Sequence, residues 1–209
     1  MRRLGLFAAA ALAPAGVVAL LATDRWTMPL AGALLVRQGL LADVLFFVAK
    51  LLTLAFLIYG CALVVAIVWL WGGTQGPRAG RTLLFASLAQ VITTELLKTV
   101  FGRERPLGGS VAGAFHGPTL NLDWRAFPSG HAAWSFAAAS VLSAYYPRYR
   151  GLFYVLASAV SLSRFFVGSH HLSDIFAGAC IGAAIGAAFV ARFPPEQSGA
   201  VGQSGGPHG

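Results

Sequence analysis

Long apolar stretches alternate with short polar ones along most of the chain. Crossing the apolar layer of a bilayer, roughly 30 Å thick, takes about 20 helical residues. Six stretches reach or approach that length, and they cover residues 4–23, 49–71, 82–101, 131–146, 151–168 and 173–193. The pattern therefore predicts an all-α fold, a bundle of six transmembrane helices.

Composition agrees with a membrane location. Of the 209 residues, 57% are hydrophobic and only 11% are charged, whereas charged residues make up about 25% of an ordinary soluble domain. The net charge of +8 raises the question of nucleic acid. The basic residues are scattered among apolar stretches and form no basic face, so we predict the bilayer as the partner and no nucleic acid.

The two ends of the chain differ in character. Residues 1–193 are predicted to form one domain, and residues 194–209, rich in Pro, Gly and Ser, a disordered tail. The first span follows Met1-Arg2-Arg3 as a signal peptide would. Its apolar run continues to Ala22, which favours an uncleaved anchor and leaves cleavage as the alternative.

Two further segments have a structural interpretation. Residues 25–41 are half polar and suit the membrane interface, as a connector or as a wall beside a lipid. The last span carries Gly178, Gly182 and Gly186 at every fourth position, which predicts one helix face that a neighbouring helix can approach closely.

Ionisable side chains collect at the ends of the later spans. Each costs about 2.5 to 3.5 kcal/mol at the middle of a membrane, so their default interpretation is functional. Because successive spans alternate in direction, the end of the third and fifth and the start of the fourth and sixth lie on one membrane face. The polar residues at these four places are Lys98, Arg105, Ser129, His131, Arg164, His170 and Asp174.

This set suits a multiply charged anion. Three fixed cations, Lys98, Arg105 and Arg164, are typical ligands of phosphate. Ser129 can cap the fourth helix, and Gly130 lets the backbone N–H groups of the first turn approach the anion. We therefore expect a phosphate pocket at the start of this helix.

Two histidines and an aspartate add reactivity to the pocket. A neutral imidazole attacks phosphorus well when a carboxylate holds its other ring nitrogen, and His170 and Asp174 are one helical turn apart. His131 is placed to protonate the leaving oxygen. His171 adjoins His170, which leaves a local ambiguity.

Three motifs resemble the type 2 phosphatidic acid phosphatase superfamily, integral-membrane phosphatases related to bacterial acid phosphatases and vanadium haloperoxidases. They are "KTVFGRERP" from Lys98, "PSGH" from Pro128 and "SRFFVGSHHLSD" from Ser163. The resemblance implies that Lys98, Arg105, Arg164, Ser129 and Gly130 bind phosphate. It also implies that His170 is the nucleophile that forms a phosphohistidine, that Asp174 orients it, and that His131 is the general acid.

Several neighbours of these motifs receive lesser roles. We expect Arg103 to reach towards the interface, Glu95 to pair with Lys98, and His116 to be a surface residue. Trp124 and Phe127 are interpreted as interface anchors, with contact to a lipid chain as the alternative.

The expected function is that of a membrane lipid phosphatase with no cofactor and no metal. It would hydrolyse a phosphate monoester or diphosphate head group, of the phosphatidate, phosphatidylglycerol phosphate or undecaprenyl diphosphate type. The alternative is a binder or transporter of phosphate-bearing lipid or solute, which would not need His170 paired with Asp174. The sequence indicates neither which lipid is the substrate nor the oligomeric state.

Arginine distribution predicts the orientation. With the N-terminus inside, seven arginines lie on the inner side and six on the outer side, and two of those six, Arg105 and Arg164, are assigned to the pocket. The positive-inside rule then favours a site that faces outward, and we expect the protein in a bacterial plasma membrane.

Overall fold

A computed structural model describes residues 13–27, 29, 44, 47–48, 61–106 and 113–196. Within these residues the chain forms six α-helices of eleven residues or more. They are α1 (13–27), α2 (Cys61–Trp71), α3 (Gly76–Phe101), α4 (Gly130–Tyr145), α5 (Arg150–Phe166) and α6 (Leu172–Arg192). The prediction of an all-α fold is confirmed, since the described residues contain no strand beyond one isolated bridge between Arg103 and Phe115.

Where they are described, the helix boundaries follow the predicted spans closely except at two places, since α1 continues to residue 27, four residues past the predicted span, and α3 begins early. The helix α3 begins at Gly76, six residues before the predicted span, because Pro77 supplies a favourable first turn. By length and hydropathy, two described segments can cross a membrane, Gly73–Phe101 and Leu172–Arg192. The count of six spans therefore stays a prediction.

Parts of other predictions fall outside the described residues. Of the interfacial segment 25–41, residues 25–27 and 29 are helical, and the rest is not described. The tail is described as far as Glu196, whose carboxylate pairs with Arg78 and whose backbone bonds to Gln75. The first residues of the predicted tail therefore pack against the start of α3.

The centre of the bundle is α4, which packs against α3, α5 and α6. Small residues on its sides let these neighbours approach, and its larger side chains Trp134 and Val141 pack against Leu83 of α3. The indole N–H of Trp134 donates to Ser87 Oγ at 2.9 Å. A central α4 places its N-terminal turn between the ends of the other helices.

Glycines allow α6 to lie directly against α4. A Cβ at Gly178 would overlap the carbonyl oxygen of Ser129, and one at Gly186 would lie 2.6 Å from the carbonyl oxygen of Ala137. Gly182 has the same relation to Ala133. The packing interpretation of the glycine face is confirmed, and its first contact fixes the start of α4 against α6.

A left-handed glycine ends α3 and turns the chain back towards the bundle. Gly102 has φ 54°, and its N–H donates to the carbonyl oxygen of Lys98 at 3.0 Å. A side chain at this position would overlap the carbonyl oxygen of Gly117. The turn brings Arg103 and Arg105, which follow it, to the same end of the bundle as the start of α4.

Candidate active site

One end of the bundle collects the residues that the sequence singled out. Lys98 lies in the last turn of α3 and Arg164 in the last turn of α5, while Arg105 follows α3 in a loop. His131 begins α4 and is within electrostatic range of all three cations and of His170. The structure therefore brings these groups around one space, and we call Lys98, Arg105 and Arg164 the cation rim.

Lys98 lies over the first turn of α4. A Cβ at Gly130 would be 3.2 Å from Lys98 Nζ, so the absence of a side chain at Gly130 leaves this approach open. The predicted ion pair between Lys98 and Glu95 is confirmed. The other carboxylate oxygen of Glu95 accepts from Arg125, a further cation beside the site to which the sequence analysis gave no role.

Arg105 is held by neutral groups. Its guanidinium donates to the carbonyl oxygens of Leu122, Ser169 and Arg125 at 3.3 to 3.4 Å, and among the described residues it has no carboxylate within ion-pair distance. Burial lowers the pKa of Arg105 from its usual value near 12.5, which still leaves it charged at neutral pH. Its positive charge is therefore available to an anion.

The loop between α5 and α6 joins two members of the rim. Arg164 is 6% exposed and donates from Nη2 to Ser169 Oγ at 2.8 Å. The carbonyl oxygen of the same Ser169 accepts from Arg105. Ser169, which the sequence analysis did not single out, thus fixes both guanidinium groups from one position.

His170 has a defined tautomer. Its Nδ1 lies 2.8 Å from the carbonyl oxygen of Ala126, and because a carbonyl oxygen only accepts, Nδ1 must carry the proton. Nε2 is then left with its lone pair. The carboxylate oxygen Oδ2 of Asp174, the partner predicted from spacing, is 3.7 Å from Nδ1. Asp174 is therefore near the ring, but the carbonyl oxygen of Ala126 is closer.

The imidazole of His170 is neutral at ordinary pH. It is 3% exposed, and this burial, against the opposing effect of Asp174 and with a smaller contribution from the charges of Arg105 and Arg164, lowers the pKa of His170 to about 4. A neutral ring with an unprotonated Nε2 is the form that a nucleophile requires.

His171 caps a helix. It is the residue before the first turn of α6, and the carboxylate oxygen Oδ2 of Asp174 accepts from its backbone N–H at 2.8 Å and lies 3.4 Å from its ring Nδ1. The ring is fully buried and packs against Gly113. The two adjacent histidines therefore differ, since one borders the cation rim and the other closes the start of α6.

Arg103 is not the interfacial residue that we expected. It is fully buried, and its guanidinium pairs with Asp24 and with Asp174. Asp24 and Ser173 are also fully buried and bond to each other. The prediction for Arg103 was wrong because the Gly102 turn directs the chain inward, and we call Asp24, Arg103, Ser173 and Asp174 the buried ion-pair cluster.

Ser129 connects the start of α4 to the start of α6. Its hydroxyl accepts from the N–H of Ala132 at 3.5 Å, and its own N–H donates to the carbonyl oxygen of Asp174 at 3.0 Å. The predicted helix cap is therefore present. It also ties the turn that carries His131 to the residue that lies beside His170.

Aromatic residues line an apolar groove next to this turn. The rings of Phe101, Phe115 and Phe127 contact one another edge to face. They border a groove of about 800 Å³ whose other walls come from α1 and α6. Of the two aromatic residues left open above, Phe127 lines this groove, while Trp124 stacks on His116 with ring centroids 4.0 Å apart.

Residues 79–197 match the model of the PAP2 superfamily. This is more than half of the chain, and the chain belongs to that family, as the three motifs indicated. Lipid phosphate phosphatase 1 of Arabidopsis thaliana is 33% identical over 147 residues, 54% of this chain and 44% of the relative. Lipid A 1-phosphatase of Rhizobium johnstonii is 32% identical over 106 residues, 50% of this chain and 43% of the relative. The chain thus spans less than half the length of these relatives.

Two solved membrane-protein structures share the fold. The crystal structure of Aquifex aeolicus LpxE has a TM-score of 0.58 at 26% identity and covers 78% of this chain and 93% of its own. A PAP2-type phosphatidylglycerolphosphate phosphatase from Bacillus subtilis has a TM-score of 0.53 at 19% identity, over 87% and 94% of the two chains. The second likeness is one of fold alone.

Proposed function

We infer that the protein is a membrane phosphatase that releases phosphate from the head group of a lipid. One observation supports this proposal: a neutral histidine with an unprotonated Nε2, His170, lies near Arg105 and Arg164, and these groups and Lys98 all lie near His131. The three cations suit a phosphate dianion, and the histidine supplies a nucleophile that simple binding would not need. Family membership and the names of the relatives support the same reaction class.

In the proposed first step, His170 Nε2 attacks phosphorus and the bond from phosphorus to the lipid oxygen breaks. The proton on Nδ1 stays, hydrogen-bonded to Ala126, so a positive charge develops on the ring. Asp174 lies close enough to stabilise that charge. The cation rim stabilises the charge on the transferring oxygens, which is the main way that proteins accelerate phosphoryl transfer.

Proton transfer is assigned to His131. A bound phosphate brings negative charge beside this residue, which favours the imidazolium that can protonate the departing lipid oxygen. In the second step the now neutral His131 takes a proton from water, and the water oxygen attacks phosphorus. The bond from phosphorus to His170 Nε2 breaks, and phosphate leaves.

The apolar groove suits the hydrophobic chain of a lipid substrate. Phe127 lines the groove and is two residues before Ser129, so a hydrophobic chain in the groove would reach the phosphate pocket directly. Its volume of about 800 Å³ is in the range of sites that bury most of a small ligand. We propose that the chain of the substrate lies here while its head group enters the cation rim.

We propose that the site faces the outer side of a bacterial plasma membrane. Arg103 belongs to the buried ion-pair cluster, so it no longer counts as a charge of the outer loops. The excess of positive charge in the inner loops over the outer loops is therefore larger, which favours a site that faces outward.

Phosphate release from pure protein tests the proposal. The substrates are phosphatidate, phosphatidylglycerol phosphate, undecaprenyl diphosphate and lipid A 1-phosphate in mixed micelles, with a chelator present. We expect release from at least one of them, with inhibition by vanadate. Binding of these lipids without release would favour the binder or transporter, and strict dependence on added magnesium would contradict the metal-free mechanism.

A further inference from the structure

Arg103 lies outside the cation rim, and protein groups surround its side chain. Its Nη2 donates to Asp24 Oδ2 at 2.7 Å, its Nη1 to Asp174 and to Ser173 Oγ at 2.6 Å, and its Nε to the carbonyl oxygen of Gly113 at 3.2 Å. The face of the guanidinium lies 5.1 Å from the ring of Phe115. Every side of this arginine is therefore occupied by protein.

The contacts fix the rotation of the Asp174 carboxylate. Oδ1 accepts from Arg103. Oδ2 accepts from the backbone N–H of His171 and lies 3.4 Å from His171 Nδ1 and 3.7 Å from His170 Nδ1. With both oxygens assigned, the carboxylate cannot turn away from His170 without breaking one of these bonds. Arg103 therefore determines which oxygen of Asp174 His170 meets.

Asp24 holds Arg103 in turn. Its Oδ1 accepts from the backbone N–H of Ser173 at 3.3 Å, and its Oδ2 accepts from Arg103 and from the hydroxyl of Ser173. Asp24 lies near the end of α1, far from the motifs in sequence. A side chain of the first helix is thus connected, through one arginine, to the carboxylate beside the proposed nucleophile.

The charge balance of the cluster matters as well as its geometry. Two carboxylates and one guanidinium, all fully buried, carry a net charge of about −1 at neutral pH. A buried ion pair is weak evidence for stability, because desolvation offsets the attraction. A surplus negative charge beside His170 is, however, favourable to the positive charge that develops on that ring.

We propose that Arg103 and Asp24 are positioning residues of the phosphatase reaction. Both act through Asp174 by fixing its orientation, and Asp24 also supplies the carboxylate that keeps the cluster negative. The proposal rests on the function proposed above and adds to it a contribution from α1. Neither residue contacts the substrate, so their loss should slow the chemical step and leave substrate binding nearly intact.

Four variants test this, Asp24→Asn, Arg103→Lys, Arg103→Met and the control Ser87→Ala. The control removes a buried hydrogen bond to Trp134 that is remote from the site. We expect Asp24→Asn and Arg103→Met to lower kcat by about 10- to 100-fold, as partners behind a reactive group commonly do, with KM within about threefold. Arg103→Lys should recover part of the loss, because it restores the charge without the forked geometry.

A double variant separates positioning from general damage. If Asp24 and Arg103 act through the same carboxylate, Asp24→Asn combined with Arg103→Met should lower kcat little more than Arg103→Met alone. Multiplication of the two single effects would contradict the proposal. An unchanged kcat in folded Asp24→Asn would also contradict it, and so would failure of the variants to fold. A loss of kcat that only follows the fall in melting temperature, as expected for Ser87→Ala, would contradict it as well.

A spectroscopic arm keeps this test independent of turnover. In protein labelled with [¹⁵N]histidine, the ring nitrogen signals of His170 are assigned by their loss in His170→Ala. We expect Asp24→Asn and Arg103→Lys to shift these signals and Ser87→Ala to leave them in place. If the wild-type protein releases no phosphate from any lipid, the proposed function fails, while unshifted His170 signals would overturn the positioning role itself.

Discussion

The cation rim and the buried ion-pair cluster are both built on arginine, and they use it in opposite ways. Among the described residues, Arg105 in the rim donates to carbonyl oxygens alone, at 3.3 to 3.4 Å, whereas Arg103 in the cluster pairs with two carboxylates and is fully buried. An arginine that meets only neutral partners retains charge for an anion, and one that meets carboxylates does not. Partner type therefore separates the groups that would bind phosphate from the groups that hold the site together.

The neighbouring histidines His170 and His171 also differ in their partners. His170 borders the rim and has a nitrogen lone pair available, while His171 is enclosed by Gly113 and caps α6. Adjacent residues in one loop thus belong to different parts of the site. The largest predicted effect uses this pair.

Replacing His170 by Ala should lower kcat by about 10⁴-fold or more, because the nucleophile is lost. His171→Asn keeps a residue that caps helices well, so most of the turnover should remain while the melting temperature falls. Phosphate release and thermal unfolding of both variants provide the measurement. Activity that survives in His170→Ala and disappears in folded His171→Asn would reverse the assignment.

Removal of a rim cation should have the next largest effect. Arg105→Met should lower kcat/KM by about 10²- to 10³-fold, since one donor to the transferring oxygens is lost. Arg148→Met, in the exposed turn between α4 and α5, removes the same charge away from the site and should change little. Equal losses in the two variants would mean that Arg105 acts only through the net charge of the protein.

The rim and the cluster should move the pKa of His170 in opposite directions. The folded pKa of about 4 lies below the ordinary value near 6.5, so the ring stays neutral until the pH falls towards 4. Arg105→Met should raise this midpoint, because a nearby positive charge is removed, and Asp174→Asn should lower it. Titration of the ring nitrogen signals measures each midpoint, and a wild-type midpoint at or above 6.5 would contradict the burial of a neutral His170.

The smallest effect should come from Glu95, which pairs with Lys98 at the edge of the rim. This carboxylate is 47% exposed, and exposed ion pairs contribute about 0 to 1 kcal/mol. Glu95→Gln should therefore lower KM by no more than about fivefold, because Lys98 and Arg125 no longer have a competing anion. Glu104→Gln, a nearby carboxylate that is not bound to the rim, is the matched control, and a higher KM in Glu95→Gln would show that Glu95 instead positions Lys98.

The sequence predicted the helices because apolar runs are local patterns, and it placed the rim residues at one end of the bundle because they lie at the ends of these runs. Apolar runs indicated the all-α fold, and the spacing of Lys98, Arg105 and Arg164 at the ends of predicted spans indicated one shared pocket. The buried ion-pair cluster could not be found in this way, since Asp24 and Ser173 are 149 residues apart. The one local signal was an acidic residue at the end of an apolar run, which is costly unless it is paired.

The backbone partner of His170 was missed for a related reason. A sequence pattern shows side chains, and it pointed to Asp174, while the closest acceptor is the carbonyl oxygen of Ala126. Every amino acid at position 126 has this backbone carbonyl, so the residue type gives no sign of the contact. Ser169 was overlooked because a serine in a short loop has many ordinary explanations.

Asp24 lies well before residue 79, where the match to the family model begins. A fragment trimmed to residues 79–197 would retain all three motifs and every member of the cation rim. It would nevertheless leave Arg103 with one carboxylate in place of two. If Asp24 positions Asp174 as proposed, the segment that contains the three motifs is shorter than the part of the chain that full activity requires.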